Sequence, residues 1–135
     1  MTAARETLPI DAEGDIVSVR QLVRAWSARL GFGAVDQSKL TTAASELARN
    51  ALVHGRGGHV VLEEIGDGGR AGLRLTFTDH GPGIPDLELA MKDGYTTGNG
   101  LGLGLGGTRR LMHEFSISSR PNEGTCVTIT HYRRD

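Results

Sequence analysis

The chain has 135 residues, a formal net charge of -1 and a single cysteine, Cys126, which allows one compact core, excludes an internal disulfide and leaves no room for a separate sensor domain. Lys and Arg are scattered apart from short pairs such as Arg109-Arg110 and Arg133-Arg134, so no basic stripe points to nucleic acid. No apolar run approaches the length needed to cross a bilayer, and Met1–Ile10 carries no apolar leader, so the expectation is one domain over residues 1–135 in the cytoplasm.

Residues 1–14 read as an edge strand or a partly disordered N-terminus. From Asp15 the apolar positions Ile16, Val19, Val23, Trp26 and Leu30 recur at three- and four-residue steps, the period of a helix with one buried stripe, ended by Gly31. A second helix is predicted from Val35-Asp36, with Asp36 as its N-cap, and its stripe Leu40, Ala44, Leu47 and Ala51 runs to a stop at Gly55. Val60–Ile65 and Leu73–Phe77 are strand-like runs joined by the turn-rich Gly66-Asp67-Gly68-Gly69, the pattern of an antiparallel hairpin. The turn Gly81-Pro82-Gly83-Ile84-Pro85 leads through a short helical piece, Leu87–Met91, into the glycine-rich Gly98–Gly107, which is predicted to be irregular. A helix over Thr108–Glu114, a strand over Phe115–Ser119, a turn at Pro121–Gly124 and a last strand over Thr125–Tyr132 complete the chain, with Cys126 read as a buried thiol. Helices first and hairpin-linked strands after them predict an α+β fold, with helices on one face of a mixed, mostly antiparallel sheet.

Three places carry candidate chemistry. Glu46 and Asn50 are four residues apart on the second helix, so they lie one above the other, rotated about 100° from the apolar stripe. An amide oxygen can ligate a hard cation while a neighbouring carboxylate accepts a hydroxyl proton, which suits phosphoryl transfer; singly, the pair is an ordinary solvated helix flank. His54, one turn further on, reads as a packing or capping histidine rather than a catalyst. The alternation of Leu73, Leu75 and Phe77 continues to Asp79, aiming a carboxylate where the core side chains point. The exocyclic amine of a purine would give it a partner, with Gly81 and Gly83 leaving room for a flat ring; the plainer reading is an aspartate capping its own turn. Gly98–Gly107 alternates glycine with leucine before a helix, which offers bare N–H groups and the positive end of a helix dipole to phosphates. Alone it is a flexible loop, and it is not a P-loop, since no G-x-x-x-x-G-K-[ST] is present. Gly102, Gly104 and Gly107 fit G-x-G-x-x-G, but no strand precedes them, and the H-R-D and D-F-G kinase signatures are missing.

In order, Glu46-Leu47-x-x-Asn50 on a helix, Asp79-x-Gly81-x-Gly83 after a strand, Gly98-x-Gly100-Leu101-Gly102-Leu103 before a helix and Gly124-Thr125 heading the last strand resemble the N box, two glycine boxes and final box of the GHKL ATPase/kinase superfamily. That resemblance implies a Bergerat-type two-layer α/β sandwich that binds ATP and Mg²⁺. It implies that Asp79 reads the adenine amine beside Gly81 and Gly83, that Thr125 supports it through water, and that Asn50 ligates Mg²⁺. It places Gly98, Gly100, Leu101, Gly102, Leu103 and Gly104 in an ATP lid and makes Glu46 the catalytic general base. Further stretches, among them Arg20-Gln21-Leu22, Leu30-Gly31-Phe32-Gly33, Val35-Asp36-Gln37 and Gly81–Asp86, look like the RsbT-type switch kinases of bacterial stressosomes, while Ala51–Gly55 reads more like the anti-sigma-factor kinases. The implied partners are STAS-domain antagonist or scaffold proteins, a PP2C-type phosphatase and, on the anti-sigma side, a sigma factor; neither nucleic acid nor membrane is implied.

The expected activity is ATP-dependent phosphorylation of a serine or threonine in a partner protein. Its rival is a nucleotide-gated binding module, in which ATP orders the lid and exposes a partner surface without obligatory catalysis. A sensor histidine kinase is disfavoured, because 135 residues leave no dimerisation helix for a phosphoaccepting histidine.

Overall fold

In the computed structural model, which describes residues 4–91 and 104–134, the elements are β1 (Arg5–Ile10), α1 (Glu13–Arg29), α2 (Ala34–Val53), β2 (Gly58–Asp67), β3 (Arg70–Asp79), α3 (Leu87–Ala90), α4 (Gly104–Leu111), β4 (Glu114–Arg120) and β5 (Gly124–Tyr132). The α1 stripe Ile16, Val19, Val23 and Trp26 is buried, as is Leu30 just past its end. At its start the Asp15 carboxylate accepts the N–H groups of Asp11 and Ala12 at 2.8 and 3.0 Å, tying the chain leaving β1 into the first turn. The short link Leu30–Gly33 returns the chain as α2, which packs along α1. Leu40, Ala44, Leu47 and Ala51 are buried on α2 as their spacing predicts, joined by Ala43 and Ala48. The helix α4 packs against α2 as well.

The sheet runs β1-β2-β3-β5-β4 and each pairing in it is antiparallel. The β2–β3 turn passes through Gly68 and Gly69 at φ 59° and 86°, the left-handed conformation that a tight hairpin requires and glycine supplies. Val60, Leu62, Leu75, Phe77, Val127 and Ile129 share the face under the helices and are buried. At about 1.5–3 kcal/mol for each such side chain removed from water, this layer is the rigid platform on which the end of β3 is held. The expected α+β sandwich, with helices on one sheet face, is borne out.

Three local expectations are corrected. Asp36 does not cap α2: Gly33 is the N-cap, and Asp36 sits buried in the first turn with its carboxylate on His131 and Arg134, a tertiary pairing that outcompetes a local cap. The glycine run is not irregular throughout, since α4 begins at Gly104, four residues before the predicted start, and ends at Leu111. Leu105, Gly106 and Thr108 are buried there, and packing against α2 overrides the poor helix propensity of glycine. Cys126 is only half-buried. It pairs across from Thr78 and Ser118 on the opposite sheet face from Val127, where the alternation of β5 turns it away from the core.

Candidate functional site

Asp79 ends β3 on the same side as Phe77, and the chain around it is built to approach it closely. Its Oδ1 accepts two backbone N–H groups, from Gly81 at 3.0 Å and from Thr125 at 3.1 Å. Both acceptor directions of that oxygen are therefore taken by the protein, and among the described residues nothing donates to Oδ2. Three glycines stand where side chains would collide. A Cβ on Gly55 would lie 2.2 Å from Asp79 Cγ, one on Gly81 would lie 2.7 Å from Gly55 Cα, and one on Gly124 would lie 2.1 Å from the Asp79 carbonyl oxygen. The result is a carboxylate anchored by one oxygen in a recess stripped of neighbouring side chains, suited to accept a hydrogen bond from the edge of a flat ring.

The second helix is brought to this recess by its own ending. The Asn50 carbonyl accepts N–H bonds from His54 and Gly55, both at 3.0 Å, and the Ala51 carbonyl accepts one from Gly57 at 2.7 Å. Arg56, at φ 61°, reverses the chain between those glycines. The helix C-terminus is thereby fixed with Gly55 against Asp79, and Asn50 and Glu46 follow one and two turns back along α2. Both are half-buried, as befits a flank neither in the core nor fully solvated. At about 1.5 Å rise per residue, Gly55 to Glu46 covers roughly 13 Å along one helix, a path that a nucleotide can follow from base to phosphates. His54 is the exposed C-cap of α2.

The structure thus brings together Asp79, Gly55, Gly81 and Thr125, with Asn50 and Glu46 further back along α2. Gly83, at φ 81°, packs its Cα against the Arg120 carbonyl, where a Cβ would come within 2.4 Å, so it closes the wall of the site beside the β4–β5 turn. Gly104 opens α4, where its carbonyl accepts the Thr108 hydroxyl at 2.9 Å. Gly98, Gly100, Leu101, Gly102 and Leu103 lie outside the described residues. Sequence reasoning missed Gly55, read only as a helix stop, and Ser119, whose hydroxyl accepts the Ile84 N–H at 2.8 Å. The signal for Gly55 was the Gly55-x-Gly57-Gly58 cluster, too dense for a helix stop alone. Ser119 carried no signal.

A second carboxylate cluster lies at the other end of α2. Asp36 Oδ1 contacts His131 Nε2 at 3.0 Å, and Oδ2 contacts Arg134 Nε at 3.0 Å. Burial would raise the Asp36 carboxyl, but the hydrogen bond from His131 and the nearby charges of Arg134 and Lys39 hold it below its ordinary value. Burial pushes His131 below the ordinary histidine range and outweighs the pull of Asp36, so His131 is neutral at pH 7. His113 stacks on it with ring centroids 3.9 Å apart.

The histidine kinase-like ATPase domain family matches residues 8–131, and the chain belongs to that family. The serine/threonine-protein kinase RsbT of Bacillus subtilis (strain 168) is 50% identical to it over 125 residues, 93% of this chain and 94% of its own. The kinship makes the chain a kinase of the serine/threonine-protein type, as its motifs predict. Anti-sigma F factors stand further off: that of Anoxybacillus flavithermus (strain DSM 21510 / WK1) is 33% identical over 117 residues, 82% of this chain and 79% of its own. Among solved structures, the RsbU and RsbW domains of a Mycobacterium tuberculosis protein superpose with a TM-score of 0.67 at 24% identity, over 100% of this chain and 34% of that one. The mycobacterial sensor histidine kinase MprB superposes with a TM-score of 0.57 at 20% identity, over 97% of this chain and 99% of that one. Both share the fold.

Proposed function

We propose that the chain binds ATP with its base at Asp79 and transfers the terminal phosphoryl group to a serine or threonine of a STAS-domain antagonist or scaffold protein. Released from that partner, it engages a PP2C-type phosphatase in the cytoplasm. The observation that carries the reading is the Asp79 carboxylate, held through Oδ1 by two backbone N–H groups in a glycine-walled recess, which leaves Oδ2 to accept an exocyclic amine. Asn50 would hold Mg²⁺, which would neutralise phosphate charge as the reaction proceeds. A single amide oxygen fits Mg²⁺ taking most of its ligands from phosphates and water. Glu46, two turns from the recess, would accept the substrate hydroxyl proton. The hydroxyl oxygen then bonds to the γ-phosphorus while the bond to the bridging oxygen breaks, leaving ADP. As the resemblance implies, Gly98 to Gly104 would belong to the ATP lid.

A second reading, an anti-sigma-factor kinase that also holds a sigma factor, is favoured by the anti-sigma F relatives and by Ala51–Gly55. Incubation with γ-labelled ATP and candidate STAS proteins tests the first. The expected result is label on serine or threonine, reduced at least about 100-fold in Glu46→Ala with ATP affinity kept. Equal transfer by that variant would remove Glu46 from its role. Nucleotide-dependent partner binding with no transfer would instead support the nucleotide-gated binding module.

A further inference from the structure

The two edges of the sheet are not protected alike. β1 carries Pro9 and opens on the charges of Arg5 and Glu6, devices that keep an edge strand from taking on a further strand. β4 lacks them in its interior. It pairs with β5 at every residue from Glu114 to Arg120 without a bulge, and it holds neither proline nor lysine. On its other side no strand lies among the described residues, so alternate backbone N–H and C=O groups along β4 are left for a partner.

The side chains of β4 say which partner fits. An antiparallel copy centred on Ile117 sets Glu114 opposite Arg120 of the second copy, Phe115 opposite its Ser119, Ser116 opposite its Ser118, and Ile117 opposite its own counterpart. Glu114, Ser116, Ser118 and Arg120 are exposed on the outer face, while Phe115, Ile117 and Ser119 are half-buried on the face under the helices. Residues opposite each other in antiparallel strands share a face, so this register keeps the helices of both copies on one side of the joined sheet. A shift by one residue would put them on opposite sides, and a shift by two would lose both contacts between Glu114 and Arg120. Among the described residues neither of these two side chains has an ion-pair partner. The Tyr132 hydroxyl donates to Glu114 Oε2 at 3.1 Å, which steadies the carboxylate and leaves Oε1 for a guanidinium. We infer that β4 is the edge through which two copies of this chain associate, in a two-fold pairing closed at both ends by Glu114 and Arg120. Such an interface is isologous, each chain giving the same patch. It adjoins the proposed base site, since Ser119 and Arg120 touch Ile84 and Gly83 of the loop that walls it.

The test is sedimentation of the full chain over a rising concentration series, with each variant checked by thermal melting. The wild-type chain is expected to associate reversibly to a dimer below about 1 mM. Glu114→Arg and Arg120→Glu each turn both end contacts into like-charge pairs and should weaken that dimer at least about tenfold. An equimolar mixture of the two variants should recover it, because both ends of a mixed pair again set opposite charges together. The chain carrying both substitutions should recover it for the same reason. Ser116→Cys, exposed beside the two-fold axis, should be joined to its own copy by a short bismaleimide under conditions where the wild-type chain, with Cys126 alone, is not. That variant serves if a charge reversal prevents folding, and failure to cross-link at concentrations where the chain is dimeric overturns the inference. A chain still monomeric at about 1 mM, its edge left to a strand of some other protein, also overturns it. So does a dimer indifferent to both charge reversals, which uses another surface, or a mixture that associates no better than its two components.

Discussion

Two aspartates at opposite ends of α2 illustrate how the same side chain is made structural in one place and available in another. Asp36 has both oxygens occupied by the protein's own side chains, Oδ1 by His131 and Oδ2 by Arg134. Asp79 has Oδ1 fixed by two backbone N–H groups, and the residues that could have satisfied Oδ2 are glycines packed too closely to bear side chains. A charge held inside a protein demands compensation. At Asp36 the fold supplies it, and at Asp79 the fold prepares a place for it to be supplied from outside. The difference lies in the neighbours: two cationic or imidazole groups in one case, three glycines in the other.

Substitutions that attack each carboxylate should therefore have opposite consequences. Asp79→Asn keeps an amide oxygen for the two backbone N–H groups but turns an NH₂ donor toward an incoming amine. ATP affinity should fall at least about 100-fold, or about 2.7 kcal/mol, with little change in melting temperature; calorimetric titration that finds near-normal affinity would erase the contrast. Asp36→Ala should do the reverse. It leaves the His131 Nε2–H buried without an acceptor, at a cost of about 2 kcal/mol, read as a fall in melting temperature of roughly 5–10 °C. ATP affinity should stay within about twofold, since sites that share no partners act independently. Gly55→Ala probes the wall rather than the charge. Its Cβ, 2.2 Å from Asp79 Cγ, must push the carboxylate aside, and roughly a tenfold loss of ATP affinity is expected, less than for Asp79→Asn.

How far each aspartate was legible follows from where its partners lie in the chain. Asp79 was readable because strand alternation and the nearby Gly81 and Gly83 are local signals. The same locality made the two amphipathic helices and the β2–β3 hairpin plain. Asp36 was misread as a cap because its partner His131 lies 95 residues away, and nothing near Asp36 announces that contact. Gly55 was half legible for the same reason: a glycine cluster can be counted, but the carboxylate that excludes its side chain comes from another strand. The start of α4 was lost because helix propensity argues against four glycines between Gly102 and Gly107, whereas burial of Leu105 and Thr108 against α2 decides it.

The smallest effect concerns the pH response of the Asp36 end. His131 Nδ1 accepts the His113 N–H at 3.2 Å, so its proton sits on Nε2 and is given to Asp36. A second proton would have to enter at Nδ1 and displace that N–H, in a buried place that already disfavours the charge. Burial thus leaves the His131 pKa below its ordinary 6.5, and the unfolded chain binds the proton more readily than the folded one. The stability from this group is present above the unfolded value and is lost as pH falls from about 6.5 toward the folded value. The loss runs at no more than about 1.4 kcal/mol per pH unit for one proton. The Asp36 carboxyl, also held low, adds its own loss only below about pH 4. Urea unfolding of the wild-type chain should accordingly weaken between pH 7 and 5.5. His131→Gln, which cannot take up the proton, should start less stable at pH 7 and fall less steeply. An unaltered slope would mean that the imidazole titrates alike in the folded and unfolded chain, and a steeper fall in His131→Gln would mean that it is charged in the folded protein, making Asp36–His131 an ion pair.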